Sequence, residues 1–270
     1  MTEENPVPAL SPLQSPAMDL AIETHGLTRR FGELAAVDGI DLAVPYGTLY
    51  GFLGPNGAGK STTIKCLTGL LRPSGGTMRI LGIDPAADGL AIKRQVGVIP
   101  EEQALFERLT AVETLSFVGQ VHGLDRATIQ TRAAELLDLL ELSPAANTLV
   151  ADFSHGMRKK LALAVAVLPA PKLLFLDEPF EGIDAIASRQ IKELLHHFVE
   201  RGGTVFLTSH ILEIVERLAD HIGVIHRGKL VAQESMAALR SGAVGKTLEE
   251  IFLSLVGADH PGKPALDWLA

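Results

Sequence analysis

The sequence predicts an α/β fold: a mixed, mainly parallel sheet with helices, joined to an antiparallel β region and interrupted by an inserted α-helical subdomain. Three observations carry this prediction. An apolar stretch, Gly47 to Leu53, runs into a glycine-rich loop and then into a helix-forming segment. Strand-like stretches, each followed by a helix-like one, return after Leu173. Between these two regions, apolar residues recur at helical spacing.

The elements follow in order. Residues 1–18 carry Glu3 and Glu4 and then Pro6, Pro8, Pro12 and Pro16. That composition is expected of a disordered tail; a signal peptide opens on basic residues and an apolar run. From Asp19 to Val44 short apolar segments (Leu20, Ile22; Val37, Ile40, Leu42, Val44) alternate with polar residues and turns, the pattern of antiparallel strands. Gly47 to Leu53 reads as a buried strand, Lys60 to about Gly69 as a helix, and Val96 to Ile99 as a short strand followed by a loop at Glu101. From about Leu105 to Val167 the period is helical, with Ile129, Ala133, Leu136, Leu137 and Leu140 on one face and Ser143-Pro144 as a stop. Strands return at Leu173 to Leu176, Thr204 to Thr208 and Ile222 to Ile225. The expected organisation is a tail over 1–18, a main domain over 19–235 with its helical subdomain inserted at about 105–167, and a helical extension over 236–270.

Composition bounds the function. Of the 270 residues, 47% are hydrophobic, enough for a sizeable core. The best membrane candidate, Leu161 to Leu176, is broken by Pro169, Pro171 and Lys172 and falls short of the roughly 20 apolar residues a spanning helix needs. A formal net charge of −8 without a long basic run argues against a broad nucleic-acid surface, so no nucleic-acid partner is expected. The triplet Arg158, Lys159 and Lys160 reads as a solvated helix face, and the neighbours His196 and His197 lack metal-ligand spacing. The single cysteine, Cys66, cannot form an internal disulfide and is expected to be a buried small apolar residue in a reducing cytoplasm.

The chemistry lies at strand ends. GPNGAGKST comprises Gly54, Pro55, Asn56, Gly57, Ala58, Gly59, Lys60, Ser61 and Thr62. Its glycines let backbone N–H groups approach phosphate oxygens at the positive end of a new helix, as in a P-loop NTPase core. Lys60 reaches the outer phosphates of ATP, and the Ser61 hydroxyl can hold Mg²⁺. The segment LLFLDEP delivers Asp177 and Glu178 to the carboxyl edge of the sheet. Asp177 suits Mg²⁺ through its water shell, and Glu178 suits polarisation of an attacking water. Acidic residues after a strand are common loop solvators, and it is the pairing with the phosphate loop that favours chemistry. His210, after VFLTS, is a candidate contact to the γ-phosphate as charge moves.

In this order the motifs resemble the ATP-binding subunits of ABC transporters, over roughly Leu20 to Val256. The resemblance implies that Phe31 in RRFG stacks on adenine and that Glu101 occupies the loop reaching toward Mg²⁺. FSHGM, Phe153 to Met157, resembles the family's signature, placed before a helix beginning near Arg158; its Ser also reads as a helix cap. Asp184 resembles the loop residue after the acidic pair. It further implies a head-to-tail dimer in which Ser154 and Gly156 serve the ATP of a second subunit, expected to be identical. Separate transmembrane permease subunits would recruit the chain to the cytoplasmic face of the membrane.

Three departures qualify the match. Glu101 stands where the family usually has Gln, and His155 and Met157 replace the commoner Gly and Gln. Such replacements resemble the ABC-2-type exporter and antibiotic-resistance branch, as does the ending TLEEIFLSLVG, which also reads as an amphipathic packing helix. The expected function is an ATPase driving transport, in the direction of export. A soluble relative acting on DNA or ribosomes would normally carry a long coiled-coil insert or a second GKST. A module that senses ATP without turnover would not need Lys60, Asp177, Glu178 and His210 together.

Overall fold

The structure, a computed structural model, describes residues 19–242 and 247–257; the tail expected over 1–18 and the end of the expected C-terminal extension lie outside them. The chain runs through strands Leu20–Phe31 (β1), Leu34–Ile40 (β2), Ala43–Pro45 (β3) and Leu49–Leu53 (β4) into helix Lys60–Leu67 (α1). Strand Gly75–Ile80 (β5), helix Pro85–Lys93 (α2) and strand Val96–Ile99 (β6) follow. Helices Ala111–Val121 (α3), Arg126–Leu139 (α4) and His155–Val167 (α5) then precede strand Leu173–Asp177 (β7). Helix Ala185–Glu200 (α6), strand Thr204–Ser209 (β8), helix Leu212–Leu218 (α7) and strands His221–His226 (β9) and Lys229–Ser235 (β10) complete the core. Helices Met236–Gly242 (α8) and Leu248–Leu255 (α9) close the described chain.

Two sheets result. β1 pairs antiparallel with β2, β3 and β5. The second sheet has the order β10-β9-β4-β8-β7-β6 and is parallel throughout except for β10. Its central strands are buried on both faces, which is why LYGFL, the LLFL of LLFLD and the VFL of TVFLTS read as apolar runs. Alternation along each strand sorts the residues into two cores. Tyr50, Phe52, Phe175 and Phe206 join Ile22, Val37, Ile64 and Cys66 on the side of the antiparallel sheet. Leu49, Leu53, Leu174, Leu176, Val205 and Leu207 join Leu115, Leu137 and Leu161 of the helices on the other. Ile129, Ala133, Leu137 and Leu140 are buried as their spacing predicts, and Cys66 is fully buried. Burial also pushes the Cys66 thiol up from its ordinary pKa, so it packs as an inert apolar group.

Several boundaries differ from the sequence reading. Strand β4 starts at Leu49 because Gly47 has φ +68°, a turn conformation. Helix α5 begins at His155 rather than near Arg158: the Ser154 hydroxyl accepts a hydrogen bond from Met157 N at 3.2 Å, so the signature segment forms the first turn. Strands β5 and β10 and helix α2 are additions to the elements that the sequence predicts. β5 is largely exposed, so it lacks a strong apolar pattern. β10 returns from β9 through a tight turn in which Arg227 and Gly228 both have positive φ. Lys159 and Lys160 are buried, at 5% and 8% exposure, against the expected solvated face. The ending does form the amphipathic packing helix: α9 carries a capping box between Thr247 and Glu250 and lays Leu248, Ile251, Phe252 and Leu255 on the core. Among the described residues no helix is long and apolar enough to cross a membrane.

Candidate functional site

Parallel register places the site. Leu53 pairs with Ser209, Asp177 with Thr208 and Ile99 with Leu176. The carboxyl ends of β4, β8, β7 and β6 therefore reach one edge of the sheet, where ligands of open α/β sheets bind. The segments leaving that edge enclose a cleft of about 250 Å³. Asn56, Gly57 and Gly59 to Thr62 line it on one side, and Glu101, Glu178, Glu181 and His210 on the other.

The loop needs glycine for two reasons. Gly59 has φ +112°, and a Cβ there would lie 2.4 Å from the Ala36 carbonyl oxygen; a Cβ on Gly54 would lie 2.4 Å from that of Ile225. Ala58 is buried, its N–H donates to the Pro55 carbonyl at 3.1 Å, and its own carbonyl accepts from Gly228 N at 2.9 Å, so the loop is clamped from both sides. Gly59 is the N-cap of α1 and offers no side-chain hydrogen bond. The first-turn amides thus remain available, and the positive end of the helix meets the cleft.

The charged residues converge there. Lys60, 6% exposed, donates through Nζ to the Gly54 carbonyl at 2.7 Å and the Pro55 carbonyl at 3.4 Å. It also lies 3.2 Å from Glu178 Oε1, a charge contact without hydrogen-bond alignment, which leaves that buried oxygen with no hydrogen-bond partner. The other carboxylate oxygen, Glu178 Oε2, lies 3.0 Å from His210 Nδ1 and accepts from His210 N at 3.3 Å. Glu178 itself has φ +49°, an uncommon left-handed conformation for a residue with a long side chain.

Behind the cleft, Thr208 ties the acidic pair together. Its hydroxyl donates to Asp177 Oδ1 at 2.6 Å and accepts from Glu178 N at 3.0 Å. Asp177 is buried and does not line the cleft. In sequence Thr208 belongs only to the strand before His210; nothing in its local pattern marks it as the residue facing Asp177, because that pairing comes from the neighbouring strand.

Beyond the phosphate loop and the acidic pair, four predicted site residues lie outside the cleft. Phe31, at the end of β1 and 46% exposed, lies outside the lining, with the Arg29 guanidinium 4.5 Å from its ring centre. Ser154, Gly156 and Asp184 are also outside it. Ser154 caps α5, and Asp184 caps α6 by accepting from Ala187 N at 2.8 Å. Glu181 lines the cleft although the sequence reading did not single it out; its only signal was proximity to the acidic pair.

The same order of strand, loop and acidic turn is found among known proteins. A sequence profile described as ABC transporter matches residues 37–181, more than half of the chain. The chain belongs to the ABC transporter family. Like the family's other ATP-binding subunits, this ABC protein binds and hydrolyses ATP to drive transport. It is 42% identical over 221 residues to the daunorubicin/doxorubicin resistance ATP-binding protein DrrA of Streptomyces peucetius, covering 82% of this chain and 67% of that one. It is 39% identical over 217 residues to the bacitracin transport ATP-binding protein BcrA of Bacillus licheniformis, covering 80% and 70% respectively. A solved ATP-binding subunit of an ABC transporter superimposes with a TM-score of 0.82 at 32% identity, covering 88% of this chain and 99% of that one. The ABC fold is therefore the right frame for the cleft.

Proposed function

We propose that the chain is the motor subunit of an exporter: ATP closes a dimer of two identical chains, hydrolysis reopens it, and a separate transmembrane permease moves the cargo outward. The observation that carries this reading is the meeting of Lys60, Glu178 and His210 in one cleft beside the phosphate loop. Phosphate oxygens entering the cleft replace Glu178 as the counterion of Lys60. The freed carboxylate then accepts a proton from the attacking water, and His210 supports the γ-phosphate as charge accumulates. Phe31 stacks on the adenine from outside the phosphate cleft.

Mg²⁺ fits the donor set. Ser61 lines the cleft with a hydroxyl, Glu101 brings a carboxylate, and Asp177 keeps one oxygen uncommitted while Thr208 holds the other. Among the described residues no cluster of three or more His, Cys, Asp or Glu could cage a metal. That suits an ion bound through one or two carboxylates plus phosphates and water. When bound, it would neutralise phosphate charge.

The dimer reading draws support from the position of Ser154, Gly156 and Asp184 away from the chain's own cleft. At the start of α5 the backbone of Ser154 and Gly156 presents a positive helix end to the ATP of a second subunit, and Asp184 opens α6 beside them, also outside the cleft. The names of the similar proteins, which concern drug resistance and bacitracin transport, support export as the direction. The chain sits at the cytoplasmic face of the membrane through its permease, and nucleic acid has no part in this scheme.

Glu178→Gln tests the reading. It keeps the shape of the side chain but removes the base, so turnover should fall by about 10²–10⁴-fold while ATP binding persists and an ATP-bound dimer accumulates. Unchanged turnover removes Glu178 from the role.

A further inference from the structure

Lys159 is the second buried cation beside the cleft. Taking an ammonium out of water is costly unless its donors are used. Lys159 Nζ donates to the main-chain carbonyl of Glu178 at 2.9 Å and also to that of Glu181, so both bonds go to backbone and neither to a side chain. The two carbonyls mark the ends of the acidic turn, which is closed by Glu181 N donating to Glu178 O at 3.2 Å. At its start Glu178 holds φ +49°, a conformation that is costly for a residue other than glycine and persists only where the surroundings impose it. Burial lowers the pKa of the ammonium, and the charges of Glu181, Glu178 and Glu101 only partly offset it. One position on, Lys160 Nζ donates to Gln190 Oε1 at 3.0 Å, anchoring α5 to α6 beyond the turn.

We propose that Lys159 is a positioning residue for ATP hydrolysis: by cross-linking the Glu178 and Glu181 carbonyls it holds the strained turn that aims the Glu178 carboxylate at the phosphate loop. The proposal rests on the assignment of Glu178 as the base. It has a consequence for communication between sites. Lys159 lies on the helix that opens at Ser154, five residues or about 7.5 Å along the axis. Movement of that helix against the ATP of the second subunit is therefore felt at the backbone of Glu178.

Lys159→Met in the full chain keeps the apolar stem and removes the ammonium. The expected result is a kcat lower by about 10²-fold, the scale of a misplaced catalytic group. The Kd for β,γ-imido-ATP should stay within about twofold, because the phosphate loop is untouched, and Lys159→Arg should restore most of the rate. In the Glu178→Gln background the same change should cost nothing further, since two residues acting through one carboxylate are not additive. A wild-type rate for Lys159→Met, a full additional loss in that background, or a parallel fall in analogue affinity overturns the proposal. If Lys159→Met does not fold, Lys159→Gln carries the comparison: an intermediate kcat at unchanged affinity supports the role, and a wild-type kcat overturns it. Normal turnover by Glu178→Gln alone overturns the base assignment; slow turnover there with a full rate in Lys159→Met overturns only the role of Lys159.

Discussion

Thr208→Val isolates the hydroxyl that joins the two acidic residues. Val has nearly the same shape, so the change deletes the donor to Asp177 Oδ1 and the acceptor for Glu178 N without opening a cavity. Thr208 is fully buried, and Asp177 and Glu178 are 3% and 5% exposed, so water cannot readily replace either bond. A buried polar group left without a partner costs about 1–3 kcal/mol, and there are two of them. The added methyl returns about 0.8 kcal/mol of apolar burial. The expected loss is then about 1–5 kcal/mol, centred near 3 kcal/mol, which in a chain of this size lowers Tm by roughly 6–12 °C. Thr208→Ser is the control: it keeps both bonds and loses one methyl group, about 1 kcal/mol. Calorimetric or fluorescence melting of wild type and both variants under one buffer condition measures the difference. If Thr208→Val melts at or above the temperature of Thr208→Ser, the hydroxyl is not what holds the acidic pair, and the reasoning fails.

Two further outcomes are expected. Ser154→Asp preserves a good N-cap for α5 but places a negative charge where the second subunit's γ-phosphate would approach, so melting should be nearly unchanged while ATP-dependent dimerisation of the Glu178→Gln chain is lost; retained dimerisation, read by light scattering, contradicts the facing arrangement. His221 is pushed below its ordinary pKa by burial, with Asp220 and Glu234 opposing, and its Nδ1 is buried without a partner. Its neutral form is the one the fold favours, so its contribution is present above about pH 6.5 and lost as pH falls through the lower folded value. His221→Gln should therefore lose less Tm than wild type between pH 7 and pH 5, and identical losses would refute the assignment.

The phosphate loop was legible because its chemistry is local: Gly54 to Thr62 strand, loop and helix are contiguous, and glycine is demanded at Gly59 by φ and by the Ala36 carbonyl. The apolar runs of β4, β7 and β8 were legible for a similar reason, since burial on both faces leaves no polar alternation to confuse them. Two edge strands were not, although the edge strand β6 was. β5 and β10 carry mixed patterns, and their pairing depends on turns and neighbours rather than on their own residues. The basic triplet reads as a solvated face because a lysine declares its charge but not its surroundings; only the packing of α5 against the acidic turn and against α6 turns Lys159 and Lys160 inward.

Residue order alone therefore settles that this chain has an α/β nucleotide-binding core, and it names Lys60, Asp177, Glu178 and His210 as the chemical candidates. What needed the folded chain is their mutual geometry. The strand order β4-β8-β7-β6 sets residues far apart in sequence side by side, so that Thr208 meets Asp177 and Lys60 meets Glu178. Local pattern encodes how each strand is buried; which strand lies next to it is decided by the crossovers and the cores on either face.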